Sequence, residues 1–254
     1  PPNDGDDCFA CAMTEINPKG SSQEYPHWWK AFNFLPSLNS LGLRHFAGAF
    51  SGAPVSTYVT ERASENALNL LKRCFEGVDA GAMRDHHTHI VGVGNSGSGA
   101  YLNPLIFKLS NPGKYIKMRA FMSGCGLENF KDADQTMVAR LKELMEFCTL
   151  GGGRHPKHFI LAFDEVYDED GTRRKDLSNI HVPNDYIFRL CLESPDHFIP
   201  CCSVHPYRID ALEELRRCHR AGARLCKWLP NSMRIDFRNA KTMKFCELLA
   251  ELNM

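Results

Sequence analysis

The chain has 254 residues, 43% of them hydrophobic, and its 30 basic residues balance 30 acidic ones to give a formal net charge of zero. This length and composition suit one large α/β domain or two small ones, and they exclude a largely disordered chain. The balanced charge argues against a nucleic-acid partner, which would be matched by a basic excess. No apolar run approaches the roughly 20 residues that span a bilayer, so we expect no membrane partner.

The cysteines indicate the cellular location of the chain, and the chain ends indicate whether the sequence is complete. The 11 cysteines are an odd number without regular spacing, and many of them fall inside apolar runs. This usage is typical of a reduced intracellular protein rather than of a disulfide scaffold, so we expect a cytoplasmic location. The chain begins at Pro1 and stops at Met254 directly after a strong helical pattern, so we expect a truncated sequence.

Residues 1–80 are predicted to form a mostly helical N-terminal extension that packs on the domain that follows. Up to about residue 60, loop-forming Pro, Gly and Ser are common and no clean hydrophobic period is present. A helix is then predicted from apolar residues at helical spacing, namely Ala67, Leu70, Leu71 and Cys74.

Residues 81–254 are predicted to form the main domain, in which apolar strands alternate with amphipathic helices. Strands are predicted at 84–91, 158–163, 198–204 and 223–229. Helices are predicted around 141–148, 184–193, 209–218 and 245–252. The Gly-rich segment that follows the first strand is interpreted as a flexible active-site loop. Buried strands that alternate with helices indicate a parallel sheet with right-handed crossovers.

The most informative residues are the histidines at the end of the first predicted strand. Because side chains alternate along a strand, His87 and His89 are expected on one face and His86 on the other. Two imidazoles on one face are half of a metal site, since neutral histidine is a common ligand of zinc-like ions. The alternative is a pair of polar residues on a turn after an edge strand.

Lys227 is unexpected in a strand that otherwise has the pattern of a buried core strand. It shares a face with Leu225 and Leu229, and a buried ammonium is costly unless it is paired, neutral or chemically modified. Three interpretations stay open. In the first, carboxylation by CO2 turns Lys227 into an oxygen ligand that bridges two metals. In the second, Lys227 is paired with Asp164 or Glu165 and is a charged substrate contact. In the third, it is an ordinary surface lysine.

Three further polar residues are predicted to contact a substrate, because function collects at the carboxyl ends of parallel strands. Asp164 follows the second predicted strand and His205 follows the third, whereas His181 lies in the loop after the second. His205 could instead cap the following helix, and His181 could be a solvated loop residue.

The chain carries three motifs in a fixed order, at 85–89 (DHHTH), 204–206 (VHP) and 222–230 (GARLCKWLP). Together they resemble the amidohydrolase superfamily, in particular the predicted TIM-barrel metal-dependent hydrolases of the amidohydrolase-2 type, over about residues 83–254. The resemblance implies the first four βα units of a (β/α)8 barrel with one or two divalent ions, zinc first among them, at its mouth. It also implies His87 and His89 as metal ligands and Lys227 at the position of the bridging carboxylated lysine.

The function predicted from this resemblance is that of a metal-dependent hydrolase, in which activated water attacks a carbonyl-type small molecule. The family takes its remaining ligands and its general base from later strands, so no catalytic residue is assigned and the segment alone is expected to be inactive. A metal-dependent nonoxidative decarboxylase of the same superfamily is one alternative. A non-catalytic half-barrel for binding or assembly is another, and a homo-oligomer is compatible with each of them.

Overall fold

The computed structural model describes residues 63–107, 132–149 and 153–254, together with a few single positions between 112 and 127. Most of the predicted N-terminal extension, residues 1–62, lies outside the described residues. Within the described part of that extension, the predicted helix is present as α1, Glu65–Phe75, and the Ser64 side chain accepts a hydrogen bond from the Ala67 N–H at its start.

The described residues form six strands and six α-helices. The strands β1 to β6 are Arg84–His89, Tyr101–Leu102, Lys157–Leu161, Ile180–His181, Phe198–Cys202 and Leu225–Cys226. The helices α1 to α6 are Glu65–Phe75, Ala133–Phe147, Asn184–Glu193, Ala211–Arg220, Pro230–Met233 and Ala240–Glu251. None of the described helices is long and apolar enough to cross a membrane.

The four predicted strands lie in one parallel sheet in the order β1-β3-β5-β6. The α/β class and the parallel sheet with strands in chain order are therefore confirmed. The sheet curls into the shape of half a barrel, so the side chains on its concave face converge. The carboxyl ends of all four strands lie at the same rim of this half-barrel.

The helices pack against the convex face of the sheet and bury two apolar clusters. In the first, Ile160 of β3 packs with Met145 of α2 and Ile187 of α3, all fully buried. In the second, Cys202 of β5 packs with residues of α4 and α6, including Leu215 and Phe245. Four of the five residues of β5 are buried, and its sequence is accordingly a continuous apolar run without alternation.

A small antiparallel sheet of β2 and β4 pairs Tyr101 with His181 and Leu102 with Ile180, in segments that the sequence predicts to be loops. The described part of the Gly-rich segment is also held in place, because buried Asp134 accepts hydrogen bonds from the Val93 N–H at 2.6 Å and the Ser98 hydroxyl at 2.5 Å. The prediction of a flexible loop does not fit these contacts.

Candidate metal centre

His87 and His89 are brought together at the carboxyl end of β1. Their Nε2 atoms lie 3.0 Å apart, and their ring centroids are 4.9 Å apart. Thr88, between them, points to the opposite face and is buried. The predicted placement of both imidazoles on one face of the strand is therefore confirmed.

β1 contains an irregularity that the alternation rule does not anticipate. Asp85 is the register partner of His158 and Thr88 that of Ile160, so three steps along β1 match two along β3. This is a β-bulge. His86 stacks on Phe159 with ring centroids 4.4 Å apart, and Phe159 faces away from His158 by strand alternation. The prediction that His86 points away from the other two histidines is therefore wrong, because the bulge places it on their face.

Lys227 reaches the two histidines from the far edge of the sheet. Its Nζ atom lies 3.3 Å from Nε2 of His87, although β1 and β6 are separated by two other strands. In a flat sheet, three strand spacings would hold these edges roughly 14 Å apart. The contact therefore depends on the curl of the sheet, which turns the side chains of both edges toward one point on the concave face.

Both nitrogens that surround Nε2 of His87 lie at the spacing of ligands on a single ion. Zn–N bonds of 2.0–2.1 Å imply ligand nitrogens about 3.3 Å apart in tetrahedral geometry and about 2.9 Å apart in octahedral geometry. The observed separations are 3.0 Å between His87 and His89 and 3.3 Å between Lys227 and His87. The described residues contain no group of three or more His, Cys, Asp or Glu arranged to hold a metal, so any ion here would depend on the Lys227 nitrogen and on donors beyond these three.

The surroundings of the cluster favour an uncharged imidazole. Burial, followed by the charges of His87 and Lys227, lowers the pKa of His89 below its ordinary value. Neutral imidazole is the form that binds metals. His89 also stacks on Phe163, with ring centroids 5.0 Å apart, and this contact restricts the orientation of its ring.

The ion pair that the sequence offers as an alternative for Lys227 does not form. Asp164 pairs with Arg208 at 3.2 Å, and Glu165 pairs with Arg173. Among the described residues, Lys227 has no carboxylate partner. The Lys227 side chain instead contacts the imidazole of His87, which is compatible with a role in ligand binding rather than in a structural salt bridge.

Asp164 and His181 lie together, but apart from the nitrogen cluster. Both line a polar cavity of about 330 Å³ between the amino end of α3 and α4, which Arg208 and Arg217 also line. Asp164 Oδ2 accepts the His205 N–H at 2.8 Å in addition to the ion pair with Arg208. The substrate contacts predicted for Asp164 and His181 thus concern a side cavity rather than the surroundings of His87.

His205 is fully buried and has no free ring nitrogen. Its Nδ1 accepts the Tyr207 N–H at 3.1 Å, so in the neutral ring Nε2 carries the proton and donates to the Met233 carbonyl at 2.8 Å. The ring holds the segment after β5 against the turn that follows β6. The structure does not bring His205 to the nitrogen cluster, and His205 does not cap the following helix either, because α4 begins at Ala211 and its N-cap residue is Asp210.

We expect the free energy of unfolding to decrease as the pH falls below about 6.5, the ordinary pKa of histidine. Burial lowers the pKa values of His205 and His158 in the folded protein. At a pH between the lowered pKa of the folded protein and the ordinary pKa of the unfolded chain, the unfolded chain binds more protons than the folded protein. The stability that depends on neutral histidine is therefore complete above this pH range and is lost as the pH falls through it. Urea unfolding at about pH 7.5 and about pH 5.5 measures this loss.

The variant that tests this pH dependence is His205→Gln. His205→Gln keeps a donor for the Met233 carbonyl but loses the acceptor for Tyr207, so it should cost about 1–3 kcal/mol at neutral pH. It should also make the free energy of unfolding depend less steeply on pH than in the wild-type protein. Equal slopes in His205→Gln and in the wild-type protein would contradict the assignment.

Glu165 is a buried carboxylate whose importance the sequence does not reveal. It is 2% exposed, its Oε2 pairs with Arg173, and its Oε1 has no hydrogen-bond partner among the described residues. Nδ1 of His181 is likewise buried without a described partner. Buried polar atoms of this kind usually bind water or a ligand. An acidic residue directly after a buried strand is the only sequence signal for this position.

Comparison of the chain with models of known protein families, with curated proteins and with solved structures finds no match. The resemblance to the amidohydrolase superfamily therefore depends on the three motifs of this chain alone.

Proposed function

We propose that this chain forms the first half of a (β/α)8 barrel of the amidohydrolase type and supplies part of the metal centre of a hydrolase. The observation that carries the proposal is the convergence of His87, His89 and Lys227, with nitrogen separations of 3.0 and 3.3 Å. The rim at the carboxyl ends of parallel strands is where barrel enzymes hold their reacting groups. A reduced, cytoplasmic setting and a small-molecule substrate belong to the same proposal.

The chain's own residues present the nitrogen donors in a defined orientation. His89 is kept neutral by burial and is oriented by its stacking on Phe163. His87 is exposed and remains open to a ligand. A divalent ion held here, zinc in the first place, would supply Lewis-acid chemistry by polarising a carbonyl group and lowering the pKa of water.

Lys227 completes the donor set of the chain in one of two chemical forms. The neutral amine can act as a ligand itself, or the carboxylated amine can offer an oxygen. Both forms are compatible with the 3.3 Å contact between its Nζ and Nε2 of His87 and with the lack of a carboxylate partner among the described residues. Glu165 and His181 each have a buried polar atom without a described partner, but His181 lines the side cavity, so we assign neither residue a contact at the metal centre.

A non-catalytic half-barrel is the second candidate. It is favoured by the finding that no group of three or more His, Cys, Asp or Glu in the described residues can hold a metal. Three nitrogen donors without an assigned general base fit weak metal binding and little or no turnover. A nonoxidative decarboxylase would use the same donor set but break a C–C bond of its substrate instead of a C–N or C–O bond.

The test is titration of the metal-free chain with Zn²⁺ by calorimetry, repeated with Co²⁺ by visible absorption. We expect saturable binding of both ions, with a Co²⁺ spectrum of nitrogen coordination, and much weaker binding of Mg²⁺, which prefers oxygen ligands. The proposed metal centre in this chain would be refuted if Zn²⁺ showed no saturable binding at concentrations up to about 1 mM. A dissociation constant of that size corresponds to a binding free energy of about −4 kcal/mol.

A further inference from the structure

The β-bulge in β1 has a polar support on the face opposite the metal centre. The support consists of Asp85, Thr88 and His158. Oδ1 of Asp85 accepts the N–H of His87 at 2.8 Å, inside the bulge. Oγ1 of Thr88 lies 2.7 Å from Nδ1 of His158, and Oδ2 of Asp85 lies 3.6 Å from the same nitrogen. These contacts connect the backbone of the bulge to the neighbouring strand β3.

Two of the three residues of the support, Thr88 and His158, are buried. Thr88 is 5% exposed and His158 is 7% exposed, between the sheet and the helices. A buried hydroxyl and a buried imidazole that bind one another are each left without a partner if the other is removed. Thr88 also lies between His87 and His89 in sequence, so any rotation of its backbone moves both imidazoles.

We infer that Asp85, Thr88 and His158 are positioning residues that hold the bulge in the conformation in which His87 and His89 converge. Bulges next to active sites commonly change the direction of a side chain. Here the bulge brings two successive residues, His86 and His87, to the concave face, and the hydrogen bond from His87 to Asp85 fixes the second of them. The inference rests on the proposed metal centre, because its first measurement is metal affinity.

The experiment compares Thr88→Val, Thr88→Ser and Thr242→Val in the full chain. Thr88→Val removes the hydroxyl but keeps the shape, so Zn²⁺ affinity should fall about 10- to 100-fold, the usual effect of removing a residue that orients a metal ligand. Thr88→Ser restores the hydroxyl and should bind Zn²⁺ within about 3-fold of the wild-type protein. Thr242 is the matched control, since it is fully buried in α6 and its hydroxyl has no described partner.

A second measurement does not need the metal. In the metal-free protein, an NMR cross-relaxation signal between ring protons of His87 and His89 reports their convergence directly. The signal should be lost in Thr88→Val and retained in Thr88→Ser and Thr242→Val. If wild-type protein binds no Zn²⁺, the proposed metal centre fails, and the NMR signal alone decides the positioning role. Retention of that signal in Thr88→Val, or equal losses in Thr88→Val and Thr242→Val, would overturn the inference.

Discussion

Replacing both His87 and His89 with alanine should abolish saturable Zn²⁺ binding and leave the fold intact. The two imidazoles supply two of the three nitrogens that meet on the concave face, at 3.0 Å from one another. Loss of residues that only orient a ligand typically costs 10- to 100-fold in metal affinity, so removal of both ligands should cost more than about 100-fold. His87 is exposed and His89 only half-buried, so the free energy of unfolding should change by no more than about 1 kcal/mol.

The matched control is the double substitution His155→Ala and His197→Ala. These two histidines also form a close pair, with ring centroids 4.2 Å apart, but they lie away from the three nitrogens. Calorimetric titration should show wild-type Zn²⁺ affinity in this control. Unchanged Zn²⁺ content in the His87 and His89 double variant would refute the assignment, and equal loss in both double variants would indicate nonspecific binding to histidine.

The parts of the candidate site that follow from local spacing could be predicted from the sequence. His87 and His89 are two residues apart on a strand and lie on one face, although His87 belongs to the bulge between Asp85 and Thr88. Lys227 could be singled out because a charged residue interrupts an apolar strand. The structure places β1 and β6 at opposite edges of one curled sheet. The alternation of strands and helices in the sequence indicates a parallel sheet but does not indicate its curl.

The parts that failed depend on contacts distant in sequence. The bulge that turns His86 toward the site is fixed by Thr88 and His158, which are 70 residues apart. His205 looks like a site residue because it follows a strand, but both of its nitrogens are bound by the neighbouring backbone. The sheet of β2 and β4 has two residues per strand, which is too short for any hydrophobic period to show.

The ends of helices and strands are also difficult to predict from the sequence pattern alone. Ile209 continues the apolar pattern of the predicted helix at 209–218, yet α4 begins at Ala211 and Ile209 is 91% exposed. Asp210 precedes the first helical residue, so the chain direction changes there and the pattern no longer follows the helix face. At the predicted strand 223–229, β6 ends at Cys226 because Pro230 starts a short helix with Leu229 as its N-cap.

Substitution of Lys227 should separate the roles that remain open for this residue. We expect Lys227→Ala to lower Zn²⁺ affinity by at least about 10-fold, because its Nζ lies at ligand spacing, 3.3 Å, from Nε2 of His87. Lys227→Arg keeps the positive charge but can neither donate a lone pair nor accept CO2 readily, so it should lose affinity as Lys227→Ala does. If Lys227 is carboxylated, short carboxylic acids such as acetate should partly restore Zn²⁺ binding to Lys227→Ala, and removal of CO2 should weaken binding by the wild-type protein.

The control for this series is Lys157→Ala, at a half-buried lysine of the same sheet whose Nζ donates to the Pro195 carbonyl at the opposite rim. Its Zn²⁺ affinity should equal that of the wild-type protein. Full Zn²⁺ affinity in Lys227→Ala would show that the residue is no ligand. In that case, when a substrate is found, the variant should raise KM and leave kcat unchanged, because only uniform binding would be lost. Full affinity in Lys227→Arg with loss in Lys227→Ala would contradict both ligand forms of Lys227, because arginine supplies neither a lone pair nor a carboxylated amine.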